Sequence, residues 1–140
     1  MEIQTPHPNR LLIDTFFEAL SQKDLPKVRT VMSQKVTWSF LGEHPLAGTK
    51  SGIEEVIKFF EVMRGIMGTS KVRSKSLIIA ENKKYVIECQ HVKTHREDGN
   101  NIDHHVCVLW TIKKGKIASG KHFFSNPVAL DTFFNKLASK

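Results

Sequence analysis

The amino-acid sequence predicts an α+β domain in which helices come first and an antiparallel sheet follows. Up to about residue 70, apolar residues recur at the spacing of amphipathic helices. Beyond that point they alternate with polar residues, which is the period of a half-buried strand. Turn-type pairs, Asn82-Lys83, Asp98-Gly99 and Lys114-Gly115, separate the alternating segments as hairpin turns would. Helices segregated from a meander of strands are typical of the α+β class.

The N-terminal region is predicted to form two helices and a strand. An amphipathic helix covers about residues 10–22, and Asp24 can cap a short second helix that has Pro26 in its first turn. The aromatic segment Val36–Phe40 then reads as a strand. The apolar side chains that share one face of the first helix are Leu12, Ile13, Phe16, Phe17 and Leu20.

A third and a fourth helix are predicted on either side of the meander. Ser51 and Glu54 have the spacing of a capping box, and an apolar stripe at helical spacing follows them. After the strands, Asn126 can cap a last helix that has Pro127 at its first position.

The turns also predict a strand register, because a two-residue loop fixes the cross-strand pairs. A pivot on the second turn places His91 opposite Val106, and a pivot on the third places Val108 opposite Lys121. The opposite, outer face is partly apolar, which would suit a sheet-to-sheet homodimer. The face predicted to be buried carries Tyr85, Ile87, Cys89, His91, Val106, Val108, Trp110, Ile112, Ile117 and Phe123.

The order of these parts resembles a known family over about residues 9–137. The segments that carry the resemblance are Lys23-Asp24-Leu25, Pro45-Leu46-Ala47-Gly48-Thr49, Gly52, Gly115-Lys116-Ile117 and Asn126-Pro127. They resemble the SnoaL-like branch of the superfamily of ketosteroid isomerases and nuclear transport factors. The resemblance implies a cystatin-like fold, in which a curved sheet wraps around helices and encloses a conical pocket, in a protein that is usually dimeric.

A single SnoaL-like domain over residues 1–140 is thus expected, with an extended segment over residues 1–8. The proton-handling residues of the family do not carry over to it. The resemblance puts Phe16 at the tyrosine donor of the steroid isomerases, Phe40 at their aspartate base and Val108 at their protonated acid. Because apolar side chains cannot move a proton, the usual isomerase chemistry is not predicted at these positions.

Two other residues are therefore the predicted catalytic groups of the pocket. His91, on the predicted inner face, can act as a general base near neutral pH; alternatively, it is a core histidine bonded to a carbonyl or to Ser74. Lys121 among apolar neighbours can act as a base, a nucleophile or an anion anchor. Alternatively, a bulge near Gly120 turns Lys121 outward and His122 inward, or the lysine reaches the rim.

The pocket wall is predicted to be mainly aromatic, with no metal and no cofactor. His91, His95 and His104 on one face raise the question of a metal site, but no carboxylate partner is apparent beside them. Solvated rim histidines are the alternative. The residues predicted to contact a ligand are Phe16, Trp38, Phe40, His44, Phe60, Met63, Cys89, His104, Val108, Trp110 and Phe123.

Composition narrows the function classes. The net charge is +7, but basic residues are scattered through turns with no aromatic residues between them to stack bases, so no nucleic-acid partner is expected. The apolar segments are far shorter than a membrane span, and Met1–Pro8 has no apolar run. Cys89 and Cys107 lack metal-type spacing, and on the predicted register they face opposite ways, so no disulfide is expected. These features favour a cytoplasmic protein without a membrane partner.

Two function classes remain open at this point. The first is a protein that binds a small, largely apolar ligand in a conical pocket, with weak isomerase, cyclase or hydrolase-type acid/base chemistry as an option. The second is a non-enzymatic, dimeric protein-interaction module. An enclosed cavity of several hundred Å³ would favour the first class, whereas a cone filled by aromatic side chains would favour the second.

Overall fold

The computed structural model describes residues 7–139, which form four helices and six strands. The helices are α1 (Pro8–Ser21), α2 (Leu25–Val31), α3 (Ile53–Thr69) and α4 (Pro127–Ala138). The strands are β1 (Met32–Phe40), β2 (Gly48–Ser51), β3 (Arg73–Glu81), β4 (Tyr85–Lys93), β5 (Asp103–Lys113) and β6 (Lys116–Phe124). Most of the predicted extended segment 1–8 lies outside the described residues, and Pro8 already belongs to α1.

The strands form one open, curved sheet in the order β2-β1-β6-β5-β4-β3. β1 runs parallel to β6, and the other neighbouring strands are antiparallel. The core lies between the concave face and helices α1 and α3, where the rings of Phe16, Trp38, Phe60 and Trp110 pack together. The α+β prediction is confirmed. Within residues 7–139, no helix combines the length and the apolar character that crossing a membrane requires.

Helix starts follow the predicted caps in two of three cases. The Asp24 carboxylate accepts the N–H of Lys27 at the start of α2, and the Asn126 side chain accepts the N–H of Ala129 at the start of α4. The capping box at α3 is wrong in detail, since Gly52 occupies the cap position and has no side chain to accept a bond. Local side-chain chemistry thus fixes where α2 and α4 begin.

The pairing register of β4 against β5 differs from the prediction by one residue. Instead of a two-residue turn at Asp98-Gly99, the strands are joined by a longer loop that the N–H of Thr94 closes by donating to the carbonyl of Ile102. The side-chain oxygen of Asn101 accepts the N–H of Arg96 at 2.6 Å, which holds the loop in this shape. Because an odd number of residues lies between the pair that closes the loop, the strands pair one residue away from the register that a two-residue turn predicts.

This shift reverses the two faces of β4, because successive side chains point to opposite sides of a strand. His91 pairs with His105 rather than with Val106, and Cys89 pairs with Cys107. The prediction that Cys89 and Cys107 face opposite ways is therefore wrong, since directly paired residues share a face. The β4 residues that were predicted inside but lie on the outer face are Tyr85, Ile87, Cys89 and His91.

A bulge in β6 decides the open question about Lys121 and His122. The β5–β6 pairing shifts by one residue between Thr111 and Ile112, so the partner of Val108 is His122. The inner-face prediction for Lys121 and Phe123 is thus wrong, and both side chains are exposed on the outer face. His122 takes the inner position in their place.

Candidate functional site

A cavity of about 340 Å³ lies between the inner face of β4, β5 and β6 and the helices. Its wall is almost entirely apolar, because β5 and β6 alternate and present apolar side chains inward while α1, α3 and α4 close the other side. The apolar wall includes Phe17, Phe40, Phe60, Met63, Val106, Val108, Phe124, Leu130 and Phe134. The polar side chains that reach it are Arg64, Ser74, Gln90, His104 and His122.

His122 is the polar group most tightly enclosed by aromatic rings. Its Nδ1 accepts the indole N–H of Trp38 at 2.9 Å, and the rings of Phe40 and Phe124 lie 5.0 and 5.8 Å from its own. Burial among these rings lowers the pKa of His122 from 6.5 to about 3, because an imidazolium there would lose its hydration with no carboxylate to compensate. At neutral pH, His122 is therefore an uncharged imidazole.

His104 is the second imidazole of the wall and is only 5% exposed. Its Nδ1 is buried with no hydrogen-bond partner among residues 7–139, and burial lowers its pKa despite the raising effect of Asp103 nearby. The ring of Phe124 stacks between the two imidazoles, 5.9 Å from His104 and 5.8 Å from His122, with interplanar angles of 13° and 11°. The cavity thus has two neutral imidazoles on one aromatic stack.

Two of the other polar side chains of the wall have protein partners. The amide of Gln90 donates to the carboxylate of Glu88 at 2.8 Å, and the guanidinium of Arg64 donates to the carbonyl of Leu20 at 3.2 Å. Arg64 is exposed to solvent, so its charge belongs to the rim rather than to the interior. Ser74 is exposed as well, so the two histidines are the polar groups that a ligand inside the cavity could engage.

The predicted ligand contacts divide into wall, core and elsewhere. Phe40, Phe60, Met63, His104 and Val108 line the cavity. Three other predicted contacts, Phe16, Trp38 and Trp110, belong to the aromatic cluster behind the wall, where their rings pack against one another and against Phe60. These three aromatic side chains therefore fill the space behind the wall and leave the cavity open.

His44 belongs to the loop between β1 and β2 and is not among the residues that line the cavity. Its Nδ1 accepts the N–H of Leu46 at 3.2 Å, its Nε2 is 3.9 Å from the carboxylate of Asp131, and its ring packs 4.7 Å from that of Phe134. Burial lowers the pKa of His44. Its contacts attach this loop to α4 and do not place it against a cavity ligand.

The two predicted catalytic residues do not meet in the cavity. His91 is on the outer face, where its Nε2 lies 2.5 Å from the carboxylate of Asp103. That hydrogen bond lowers the pKa of the Asp103 carboxyl. Lys121 is exposed, with its ammonium 5.9 Å from the centre of the Phe123 ring. The expectation that His91 and Lys121 supply chemistry inside the cone is therefore wrong, for the register reasons given above.

The outer face also holds the other misplaced contacts, Cys89 and Phe123. Both cysteines are free thiols, and burial together with the neighbouring Cys89 thiol raises the pKa of Cys107 to about 11. Among residues 7–139, no group of three or more histidine, cysteine or acidic side chains is placed to hold a metal ion.

From the sequence, His122 was an inward residue only as the alternative to Lys121. A signal for His122 was present, because Gly120 lies two residues before it in a strand that otherwise carries side chains. A glycine inside a strand marks either a bulge or the close approach of another group. Here it marks the approach of Trp38, whereas the bulge falls one pair earlier.

Comparison with known proteins supports the fold. The model of the SnoaL-like domain family matches residues 13–120. Bal32a, from a soil-derived mobile gene cassette, superimposes with a TM-score of 0.74 at 20% identity, covering 91% of this chain and 96% of its own. An NTF2-like protein from Burkholderia xenovorans LB400 superimposes with a TM-score of 0.71 at 18% identity, covering 91% and 98%.

A third similar structure contains a small molecule. TerC, co-crystallised with polyporic acid, superimposes with a TM-score of 0.69 at 18% identity, covering 91% of this chain and 98% of its own. No curated protein matches the sequence significantly. At these identities, the solved structures establish the fold and leave the chemistry to the residues of this chain.

Proposed function

Because the chain belongs to the SnoaL-like domain family, we propose that its cavity binds a small, largely apolar molecule. The observation that carries this proposal is the cavity itself, about 340 Å³ with a mainly apolar, aromatic wall and two imidazoles in it. Pockets for small ligands span roughly 300–1,000 Å³ and combine an apolar lining with a few polar groups. This cavity falls at the lower end of that range, so the ligand is small.

The two imidazoles support acid/base chemistry as an extension of binding. A neutral imidazole carries one N–H donor and one lone pair, so His104 has a nitrogen free to accept a proton while His122 has its Nδ1 occupied by Trp38. His104 would act as the base and His122 would polarise an oxygen of the substrate. Weak isomerase or cyclase-type proton transfer next to a carbonyl is the reaction class that this pair fits. The co-crystallisation of TerC with polyporic acid agrees with a small-molecule ligand in this fold.

A thermal-shift panel of small aromatic compounds tests the binding proposal. Hits should stabilise the parent protein and lose most of their effect when Val108→Trp fills the cavity. Lys121→Ala, which changes a side chain on the outer face, is the control and should keep the full effect. If hits stabilise both variants equally, the ligand does not bind in the cavity. If no compound in a broad panel stabilises the parent, the binding proposal fails.

The outer face favours a second function, a dimeric interaction module. Tyr85, Ile87 and Phe123 are 42%, 38% and 44% exposed there, and contiguous exposed apolar side chains are typical of interaction surfaces. We propose that two copies of the chain associate through this face. Light scattering of the parent should give the mass of a dimer and that of Ile87→Glu the mass of a monomer. A monomeric parent at high concentration would contradict the association.

A further inference from the structure

We propose that Trp38 and Gly120 are positioning residues that fix His122 as a hydrogen-bond donor, so that the cavity selects apolar ligands bearing an uncharged carbonyl oxygen. The inference rests on the proposed ligand-binding function for its second half. Its first half concerns only the protein, and it can be tested without any ligand.

The tautomer of His122 follows from the chemistry of its partner. An indole nitrogen can only donate a hydrogen bond, so the contact of 2.9 Å between Trp38 Nε1 and His122 Nδ1 makes Nδ1 the acceptor. A neutral imidazole carries a single N–H, which must then be on Nε2. Because His122 lines the cavity and Nδ1 is occupied, Nε2–H is the group it has left for a ligand.

Gly120 provides the space that this contact needs. In the parallel pairing of β1 and β6, Trp38 lies beside Gly120 and Phe40 lies beside His122. The indole therefore crosses over β6 at Gly120 to reach a histidine two residues further along. A Cβ at position 120 would lie 1.9 Å from Cζ3 of Trp38 and 2.3 Å from Cη2, so any other residue would displace the indole from this position.

The surroundings of His122 prevent it from becoming a cation. Trp38 and Phe40 face it from β1, Phe59 from α3 and Phe124 from its own strand. The titratable groups that line the same cavity are His104, beyond Phe124, and Arg64 at the exposed rim. No carboxylate is among the described residues of the cavity wall. In the ligand-free protein His122 is consequently a neutral donor.

A fixed, neutral donor selects for a neutral acceptor. A carbonyl oxygen accepts the Nε2–H bond at little desolvation cost, whereas a hydrocarbon of the same shape leaves this buried donor without a partner. A carboxylate would lose its hydration for a single neutral donor. The chemical class that fits is a small, planar aromatic ketone or quinone-like compound, and aromatic acids should be bound only at the rim near Arg64.

Nitrogen-15 NMR of the histidine side chains tests the first half directly. In the parent protein, His122 should show the Nε2–H tautomer, and its spectrum should stay unchanged from pH 8 to pH 5. In Trp38→Phe, which keeps an aromatic ring but removes the donor, Nδ1 should become free and the tautomer should become mixed. An Nδ1–H tautomer in the parent, or a titration above pH 6, would overturn the positioning role even if ligands bind.

Fluorenone and fluorene test the second half, because they differ mainly in a carbonyl replacing a CH₂ group. The parent should bind fluorenone roughly 3- to 10-fold more tightly than fluorene, the contribution of one net hydrogen bond. His122→Asn, whose side-chain oxygen can still accept the Trp38 N–H but whose shorter amide does not extend to the position of Nε2, should lose most of this preference. Fluorene-9-carboxylate should bind the parent most weakly.

The outcomes separate the two proposals. Equal affinity of the parent for fluorenone and fluorene contradicts carbonyl selection while leaving the binding function intact. Tightest binding of the carboxylate contradicts it as well and points to Arg64. If neither neutral probe binds, the proposed function fails for this ligand class and carbonyl selection fails with it, whereas the NMR result still decides the role of Trp38. Should Trp38→Phe not fold, the parent spectrum and His122→Asn decide both halves.

Discussion

The two faces of β4, β5 and β6 use the same residue type for opposite purposes. On the inner face, buried His104 and half-buried His122 lie against Phe124 and have no carboxylate partner in the cavity. On the outer face, His91 and His105 lie beside one another, and His91 is bonded to Asp103 in the reach of solvent. Neighbouring positions of one sheet thus hold either a neutral imidazole in the cavity wall or a solvated, hydrogen-bonded pair.

The difference shows that burial, more than sequence proximity to an acid, decides what a histidine can do here. Asp103 immediately precedes His104 in the chain and raises its pKa, yet the loss of hydration outweighs this effect and the net pKa of His104 is lowered. The same Asp103 accepts a hydrogen bond from His91 across the outer face. Alternation along the strand separates the two outcomes.

The largest expected effect comes from crowding the inner face at Gly120. Gly120→Ala should destabilise the fold by about 3 kcal/mol, since the new Cβ would meet the Trp38 ring at 1.9 Å and overpacking a filled core is costly. Trp38 has little room to yield because its ring packs 4.8 Å from Phe60 and 4.7 Å from Trp110. Urea unfolding measures the effect.

The matched control for Gly120→Ala is Gly65→Ala. Gly65 lies inside α3 and a Cβ there has no neighbour within 4 Å, so the higher helix propensity of alanine should stabilise the fold by up to about 1 kcal/mol. Loss of stability in both variants to the same degree would mean that the Trp38 contact is not the cause.

Acid should weaken the inner face first. His122 has a pKa near 3 when folded and 6.5 as its ordinary value, so its neutral form stabilises the fold fully above pH 6.5 and this contribution is lost as the pH falls toward 3. The free energy of unfolding should drop by about 1.4 kcal/mol per pH unit for this proton. The pKa values of His44 and His104 are also lowered, which adds to the slope.

Urea titrations at pH 7, 6, 5 and 4 measure this slope. His122→Asn removes the titrating group while keeping an acceptor for Trp38, and its slope should be smaller than that of the parent by about one proton. An identical slope in the two proteins would show that His122 is not held neutral by burial.

The outer face should allow a covalent change that the inner face does not. Directly opposed residues in an antiparallel pair have Cα atoms about 4.5–5.5 Å apart, which suits a disulfide, and Cys89 and Cys107 are such a pair. Excess oxidised glutathione should convert the two thiols into an intramolecular disulfide and release reduced glutathione. Because the pKa of Cys107 is raised to about 11 and the thiolate is the reactive form, the rate should rise from pH 7 to pH 9.

Mass spectrometry under non-reducing conditions detects this disulfide as the loss of two hydrogens. Cys89→Ser is the control and should accumulate only a mixed disulfide with glutathione. Persistent mixed disulfides in the parent, without the intramolecular bond, would contradict the pairing of the two cysteines on one face.

The smallest effect is expected on ligand binding when the outer face is changed. Lys121→Ala removes an exposed ammonium whose contact is with the Phe123 ring, so the affinity for fluorenone should stay within about twofold of the parent value. Calorimetric titration measures it. A tenfold or larger loss of affinity would mean that Lys121 contacts the ligand, and it would contradict the difference between the two faces.

Much of the fold could be predicted from residue pattern, but the identity of the inner β4 residues could not. Caps such as Asp24 and Asn126 and the strand period are local features, and local chemistry decides them. The faces of β4 depend on how many residues the following loop contains. In that loop, the side chain of Asn101 holds a longer conformation, although the sequence has the pattern of a two-residue turn.

The site was partly predictable for the same reason. Wall residues from β1, α3 and β5, such as Phe40, Phe60 and His104, were expected in the cavity and line it. His122 was placed inside only as an alternative, because a bulge between two pairs of β5 and β6 is not visible in a period-two pattern. The error in the loop after β4 placed His91 on the inner face. The error in β6 placed His122 on the outer face.

A crystal structure of the protein soaked with fluorenone tests most directly whether His122 binds a carbonyl oxygen in the cavity. We expect the planar ring system to lie near Phe124 inside the cavity, with its carbonyl oxygen within about 3.2 Å of Nε2 of His122. Fluorenone bound on the outer face beside His91, or in the cavity with its carbonyl directed away from His122, would contradict it.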